Sequence, residues 1–318
     1  MAEQIDQPRC PYLRIDHQTL RAPLDDAPHN SNWIVKAHVN RRTVVIKVYE
    51  HGDPLCRHET IAVKNVRRLA WKRAAPRRVH VNPASLLAPG CQYQCLAVTY
   101  LPGQTLASAR SSRSEVVSRL LQAADLCWIP MRSRKTAIVA CFPEDARGQF
   151  HWCALPPRLP VLSMRDHLLE TLLLTQRQKQ FDRHSLCAAV IDRAQRLTWI
   201  DQLTFGFVHN DLQADNILIA NDRVAVVDFA SACISNPFVD PGGVLAHLGL
   251  VALDRLIYWA KDQHQLANER RIQEALEFFC LKRSLRQLVS LSRSHQPDRR
   301  ALATSIDNIT ALLAHQRR

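Results

Sequence analysis

The chain has 318 residues, 47% of them hydrophobic, with 42 Lys+Arg against 29 Asp+Glu and a formal net charge of +13. That length and apolar fraction suffice for a substantial core in one bilobal unit or two closely packed subdomains. No apolar run approaches the roughly 18 to 20 residues that cross a bilayer, and the start Met1-Ala-Glu-Gln-Ile-Asp6 lacks the basic-then-apolar layout of an export signal, so a soluble cytoplasmic protein is expected.

Residues 1–28 are polar, carry Pro8, Pro11, Pro23 and Pro28, and show no sustained period; they read as a tail or an irregular cap. From His29 the pattern changes. Residues 32–39, a turn at Asn40-Arg41-Arg42, and residues 43–49 read as a β-hairpin. Lys47, flanked by Val45, Ile46 and Val48, is the only charge in its strand. Asp53-Pro54 then supplies an N-cap and first-turn pair for a helix over 55–73. Glu59 lies in its early turns, with Ala62, Val66, Leu69 and Ala70 following at helical spacing.

Lys64, Arg67, Arg68, Lys72 and Arg73 on the same helix, with Arg77 and Arg78 just after it, form a basic cluster. Its plain reading is a solvated outer face; the sharper readings are peripheral contact with an anionic membrane or with nucleic acid. Only Trp71 accompanies it as a stacking aromatic, which weighs against nucleic acid.

Residues 95–100 read as a strand running into Leu101-Pro102-Gly103, and helical spacing returns over 114–127. Residues 128–162, with five prolines and mixed polarity, match no regular pattern and read as an insertion near an acceptor site. Helices are expected over 163–176 and 185–203, and, late in the chain, over 244–260, 272–291 and 301–313.

Between these helices stands the stretch that organises the rest, Phe207-Val-His-Asn-Asp-Leu-Gln-Ala-Asp-Asn-Ile-Leu-Ile-Ala220. An apolar entry leads to His209-Asn210-Asp211, with Asn216 five residues beyond the aspartate. Residues 217–220 and 224–227 then form a hairpin that ends in Asp228-Phe229. A carboxylate, a carboxamide and a second carboxylate are thereby presented at strand ends. Phosphoryl transfer requires such a set: Asp211 can orient a hydroxyl and accept its proton, and Asn216 and Asp228 can supply oxygen ligands to magnesium on nucleotide phosphates.

His209-Asn-Asp-Leu-Gln-Ala-Asp-Asn216, together with Val226-Val-Asp-Phe229, resembles the aminoglycoside phosphotransferase and choline/ethanolamine kinase group. The resemblance implies an α+β, bilobal protein-kinase-like fold, with a small antiparallel-sheet N-lobe carrying one helix (29–103) and a larger, mainly helical C-lobe (104–318). Asn210 stands where protein kinases usually have Arg, Ala230 where the metal loop usually has Gly, and Asn236-Pro-Phe-Val-Asp240 follows in place of A-P-E. No ordered activation loop for peptide substrates is therefore expected.

The resemblance further implies ATP and Mg2+ as cofactors. Lys47 would hold the α and β phosphates with Glu59 as its partner, Glu50 being the rival. Ser31 and Asn32 would cover the phosphates in place of a glycine-rich loop. The segment from Thr99 to Leu101 would serve as the adenine hinge, with Val45 and Leu96 as walls for the base. Asp240 would support the catalytic loop from below. Asp254, Tyr258 and Glu274 are candidates for the acceptor pocket.

The implied activity is ATP-dependent transfer of a γ-phosphate to a hydroxyl of a small molecule. Two rivals stand beside it: a kinase of a lipid or envelope sugar at a membrane surface, which suits the basic first lobe, and an inactive nucleotide-binding pseudokinase module, which suits the missing phosphate-loop glycines. Retention of Lys47, Asp211, Asn216 and Asp228 together argues against the pseudokinase. The charge of +13 raises the case for an anionic acceptor over a polycation. Ten cysteines with no C-x2-C pair read as free thiols.

Overall fold

The computed structural model describes residues 33–39, 42–50, 53–66, 74–78, 93–109, 111–130, 159–220, 222–264, 266–292 and 299–315. The tail 1–28, the expected phosphate-covering pair Ser31 and Asn32, most of the basic cluster and most of the 128–162 segment lie outside those residues.

The first sheet is antiparallel, in the order β1 (Trp33–Val39), β2 (Arg42–Glu50), β3 (Tyr93–Thr99). Its register sets Lys47 opposite Ile34 on one side and Leu96 on the other. Strand alternation turns Val44, Ile46 and Val48 to one face, where they are buried, and puts Val45, Lys47 and Tyr49 on the other. α1 (Pro54–Asn65) begins where the Asp53 carboxylate accepts the Leu55 N–H at 2.8 Å, with Pro54 in the first turn. It runs to Asn65 with Val66 as its C-cap, and residues 67–73 of the expected span lie outside the described residues. The Asn65 side chain takes the Ile61 carbonyl at 2.8 Å, so a carbonyl of the last turn is satisfied within the turn itself.

The remaining helices among the described residues are α2 (Arg113–Cys127), α3 (Met164–Arg177), α4 (Arg183–Arg196), α5 (Val239–Leu248), α6 (Leu253–His264), α7 (Glu269–Leu291) and α8 (Arg299–His315). α7 is the central one; Ile272, Ala275, Leu276, Phe278, Leu281 and Leu285 along it are fully buried. It crosses α5 so closely that a Cβ on Gly242 would lie 2.2 Å from the Phe279 Cβ. Two expected helices are shorter than their apolar patterns. The span 244–260 breaks at Gly249, whose φ of 81° ends α5 while its N–H still reaches the Leu245 carbonyl at 2.8 Å. The span 185–203 is α4 followed by a 3₁₀ turn, Thr198–Gln202.

Two small antiparallel sheets hold the loops between helices. One has the order β4 (Gln104–Thr105), β7 (Ile217–Ala220), β8 (Arg223–Val226); the other has β5 (Ile129–Pro130), β6 (Gly206–Val208), β9 (Cys233–Ser235). β6 feeds His209 into the site, and the β7–β8 hairpin carries Asn216 before it and Asp228 after it. Among the described residues no helix is long and apolar enough to cross a membrane, and the six described cysteines form no disulfide with one another.

Candidate active site

Lys47 is the hub. The face of β2 that carries it lies under α1, and its Nζ reaches Glu59 Oε1 and Asp228 Oδ1, each at 2.7 Å. The Tyr49 hydroxyl, two residues along the same face, donates to the other Glu59 oxygen. Glu59 is therefore the expected partner of Lys47, itself 2% exposed. Burial alone would lower the Lys47 ammonium, but Asp228 and then Glu59 outweigh it and hold the group above the ordinary lysine value. For Asp228 burial works upward and the Lys47 charge outweighs it, so the carboxyl is held below its usual range. Burial, reinforced by Glu59, raises the Tyr49 hydroxyl and keeps it a neutral donor.

The loop after β6 is held from below. Asp240, on the first turn of α5, accepts the His209 N–H at 2.8 Å and the Asn210 N–H at 2.7 Å, one on each oxygen. Asn210 adopts the left-handed region at φ 60°, a conformation that asparagine tolerates better than most residues. His209 ties this loop to the next: its Nε2 bonds the Val227 carbonyl at 2.8 Å, and its ring stands 4.9 Å from that of Phe229.

Asn216 donates from its side-chain nitrogen to the Asp211 carbonyl at 2.9 Å and to Asp211 Oδ2 at 3.3 Å. Across the hairpin, Ile217 pairs with Val226 and the Val227 N–H reaches the Asn216 carbonyl at 2.9 Å. Asn216 and Asp228 thus stand at one end of the same hairpin. Asp228 has φ 61° and is fixed there by its bond to Lys47. Just beyond it, His58 of α1 bonds the Ala232 carbonyl at 2.7 Å, and burial pulls that imidazole down to about 4. α1 is thereby docked on the segment that carries Asp228.

Where the hinge is expected, the Thr99 N–H donates to the Arg77 carbonyl at 2.8 Å and the Thr99 hydroxyl accepts the Arg77 N–H at 2.9 Å. The Tyr100 N–H goes to Thr43 at 3.1 Å. Leu101 follows, half-buried. Leu96 lies opposite Lys47 in the sheet and is buried, with Val45 partly buried on the same face.

Beside Asp211 stands a set of residues that the sequence reading did not single out. α7 brings Lys282, Arg283 and Arg286 to one side of the site, at spacings of three and four residues that share a helix face. Arg283 pairs with Asp211 Oδ1 and donates to Gln213 Oε1 at 2.9 Å. Arg286 pairs with Glu170 of α3 and donates to the Asn210 carbonyl at 3.2 Å. Lys282, buried, bonds the other Glu170 oxygen at 2.6 Å and His167 Nδ1 at 2.7 Å. Burial would raise Glu170, yet Arg286 and Lys282 hold it below its usual value. The signal was present as three cations among the apolar residues of the helix's C-terminal half. The acceptor candidates named from sequence are elsewhere: Tyr258 is 75% exposed, Glu274 pairs with Arg196 and Arg270, and neither they nor Asp254 line the cavity beside Asp211.

Solved structures share this architecture. They include a thermostable mutant of aminoglycoside phosphotransferase APH(4)-Ia in ternary complex with ADP and hygromycin B (14% identity, TM-score 0.56, covering 93% of this chain and 94% of that one). Choline kinase LicA from Streptococcus pneumoniae is similar over 93% of this chain and 94% of its own, at 11% identity and TM-score 0.59. A choline/ethanolamine kinase family protein from Mesorhizobium loti covers 93% of this chain and 88% of its own, at 15% identity and TM-score 0.55. No curated protein sequence matches the chain. The shared fold is the α+β, bilobal protein-kinase-like one. Residues 23–275, well over half the chain, match the family described as "Phosphotransferase enzyme family", and the chain belongs to that family, the one that the site's loops resemble.

Proposed function

We propose that the protein transfers the γ-phosphate of ATP to a hydroxyl of a small molecule. The observation that carries the reading is Lys47, bonded at once to Glu59 and to Asp228, which lies 181 residues further along the chain. A partly buried lysine with two carboxylates is a phosphate-binding charge kept in position, and the second carboxylate is already ionised for a cation. In this reading residues 29–103 and the helical remainder form the two lobes, and the triphosphate lies between them.

Lys47 binds the α and β phosphates. The hinge N–H groups of Thr99 and Tyr100 are used within the fold, which leaves the Leu101 backbone for the base; the choice of adenine rests on the family resemblance. Ser31 and Asn32 keep their proposed place over the phosphates. Asn216 and Asp228 suit magnesium, which is commonly held by one or two protein oxygens together with substrate phosphates. The Asn216 nitrogen is engaged with Asp211, so its carboxamide oxygen is the available ligand, and Asp228 is held ionised by Lys47. When bound, the metal neutralises charge across the β and γ phosphates.

Asp211 takes the acceptor's hydroxyl. As the acceptor oxygen bonds to the γ phosphorus, the β–γ bridging P–O bond breaks and the hydroxyl proton passes to the Asp211 carboxylate. Asn216 holds Asp211 from behind, and Asp240 holds the two residues before it. No covalent enzyme intermediate is needed; positioning and fixed charge supply the acceleration. The test is ADP release from Mg·ATP over a pooled set of hydroxylated metabolites. Stimulated release supports transfer, while nucleotide binding without turnover on any pool would leave the pseudokinase reading in its place.

A further inference from the structure

The cavity beside Asp211 is walled by Leu212, Gly243 and Phe279 with Arg283 and Arg286, over the buried Lys282. We propose that the acceptor is an alcohol that also carries an oxyanion, a carboxylate or a phosphate ester, and that Arg283 and Arg286 read it. The inference rests on the phosphotransferase reading and narrows its substrate class.

Each carboxylate near the cavity already has a use. Glu170 spends one oxygen on Lys282 and the other on Arg286. Asp240 spends both on the backbone of His209 and Asn210. Among the described residues Asp211 and Asp240 are the carboxylates that line the cavity; Asp240 is committed to the backbone and Asp211, in transfer, to the hydroxyl. A cationic acceptor would therefore find no carboxylate of its own among the described lining residues, and Phe279 alone is too little for an aromatic cage.

Arg283 sharpens the choice. Its guanidinium pairs with Asp211 Oδ1 while Oδ2 accepts from Asn216, so an incoming hydroxyl meets a carboxylate engaged on both oxygens. Once the hydroxyl takes Asp211, a half-buried fork of donors needs another anion. An oxyanion a few bonds from the acceptor hydroxyl fills that place, exchanging with Asp211 rather than leaving the Arg283 charge with the neutral Gln213 oxygen alone. Planar guanidinium groups bind both carboxylate and phosphate oxygens two at a time, and Arg286, three residues on, extends the same wall.

The experiment uses the full chain with its nucleotide site filled by Mg2+ and a non-hydrolysable ATP analogue, so that added anions cannot score there. Thermal midpoints are then titrated with ribose, ribose 5-phosphate, glycerate and glucosamine, and the same compounds are offered with Mg·ATP for ADP release. A shift from ribose 5-phosphate, from glycerate or from both is expected, with ribose and glucosamine at least tenfold weaker; which of the two acts tells a phosphate ester from a carboxylate. Arg283→Gln should weaken the active compound's apparent affinity at least tenfold. Arg283→Lys, which keeps the charge and loses the fork, should fall between and serves if the Gln variant does not fold. Absence of any anion-dependent shift, equal binding of ribose, preference for glucosamine, or an anion response unchanged in both variants would overturn the proposal. Loss of background ATP hydrolysis in Arg283→Gln with an intact anion response would place Arg283 on the γ-phosphate instead, and overturn it too. If the nucleotide analogue itself gives no shift, the phosphotransferase reading has failed separately, and the anion titration is read without it.

Discussion

Replacing Glu59 with Gln keeps the shape of the side chain and removes one charge from the Lys47 hub. In the native site its two oxygens accept from Lys47 at 2.7 Å and from Tyr49. Gln keeps an oxygen for Lys47 and presents an amide N–H to the Tyr49 hydroxyl, which must turn from donor to acceptor. One charge-assisted hydrogen bond is lost, worth about 1.5–3 kcal/mol, partly offset because a carboxylate that is only 2% exposed no longer has to be buried. The net loss should be about 1–2 kcal/mol, a fall in thermal midpoint of roughly 1.5–3 °C for a chain of 318 residues. Lys47 stays protonated near neutral pH, since even an ordinary lysine titrates near 10.4; what changes is its position, with Asp228 as its one remaining anion. We expect ADP affinity to fall about tenfold, or about 1.4 kcal/mol, and kcat/KM on any acceptor by about 10²-fold. Differential scanning fluorimetry and calorimetric titration of Mg·ADP measure both. Glu59→Ala should lose more stability, about 3–5 kcal/mol, because it leaves a charge without its buried partner. A Gln variant with nucleotide affinity and turnover within twofold of the parent would refute the idea that Glu59 positions Lys47.

Asp240→Asn should cost about 2 kcal/mol, since one of two buried backbone N–H groups loses its acceptor; faster amide exchange at His209 and Asn210 would report the loosened loop, and unchanged exchange would contradict it. Gly242→Ala sets a Cβ 2.2 Å from Phe279 and should destabilise by about 3 kcal/mol or prevent folding; a neutral melting curve would mean that α5 and α7 separate easily. Burial pulls His58 down to about 4 and, together with Lys282 and Arg286, holds His167 well below the usual histidine value. Unfolding therefore takes up protons at both once the pH is below about 6.5. Stability is full above that value and falls as the pH drops toward 4; Asp228 and Glu170, held low, continue the fall below about 4, while Asp240, raised by burial, runs the other way. Urea midpoints measured across pH 4–8 should show this slope, shallower in His58→Gln, and a flat profile would contradict it.

The stretch around Asp211 is legible in the sequence because its pattern is local: His209, Asp211 and Asn216 share one loop, and two short apolar runs around the Asn221-Asp222-Arg223 turn carry the chain to Asp228. Lys47 and Glu59 were legible for a related reason, a lone charge in an apolar strand followed by a capped helix. The strands Gly206–Val208 and Cys233–Ser235 were not, since three residues hold no measurable period. The break at Gly249 was hidden because apolar residues continue at helical spacing on both sides of it. Arg283 and Arg286 escaped notice because a cation on a helix reads as surface unless its partners are known, and theirs, Asp211 and Glu170, are 72 and 116 residues away. Pairing across such distances is a property of packing, which the period of one helix does not contain.

The central claim is that Asp211 serves the acceptor and Lys47 with Asp228 serves the nucleotide. Asp211→Ala, melted alongside the parent to confirm that it folds, should be assayed for phosphoryl transfer and for Mg·ADP affinity in one preparation. Transfer should fall by at least about 10²–10⁴-fold while nucleotide affinity stays within a few-fold. Turnover that survives the substitution would contradict the account.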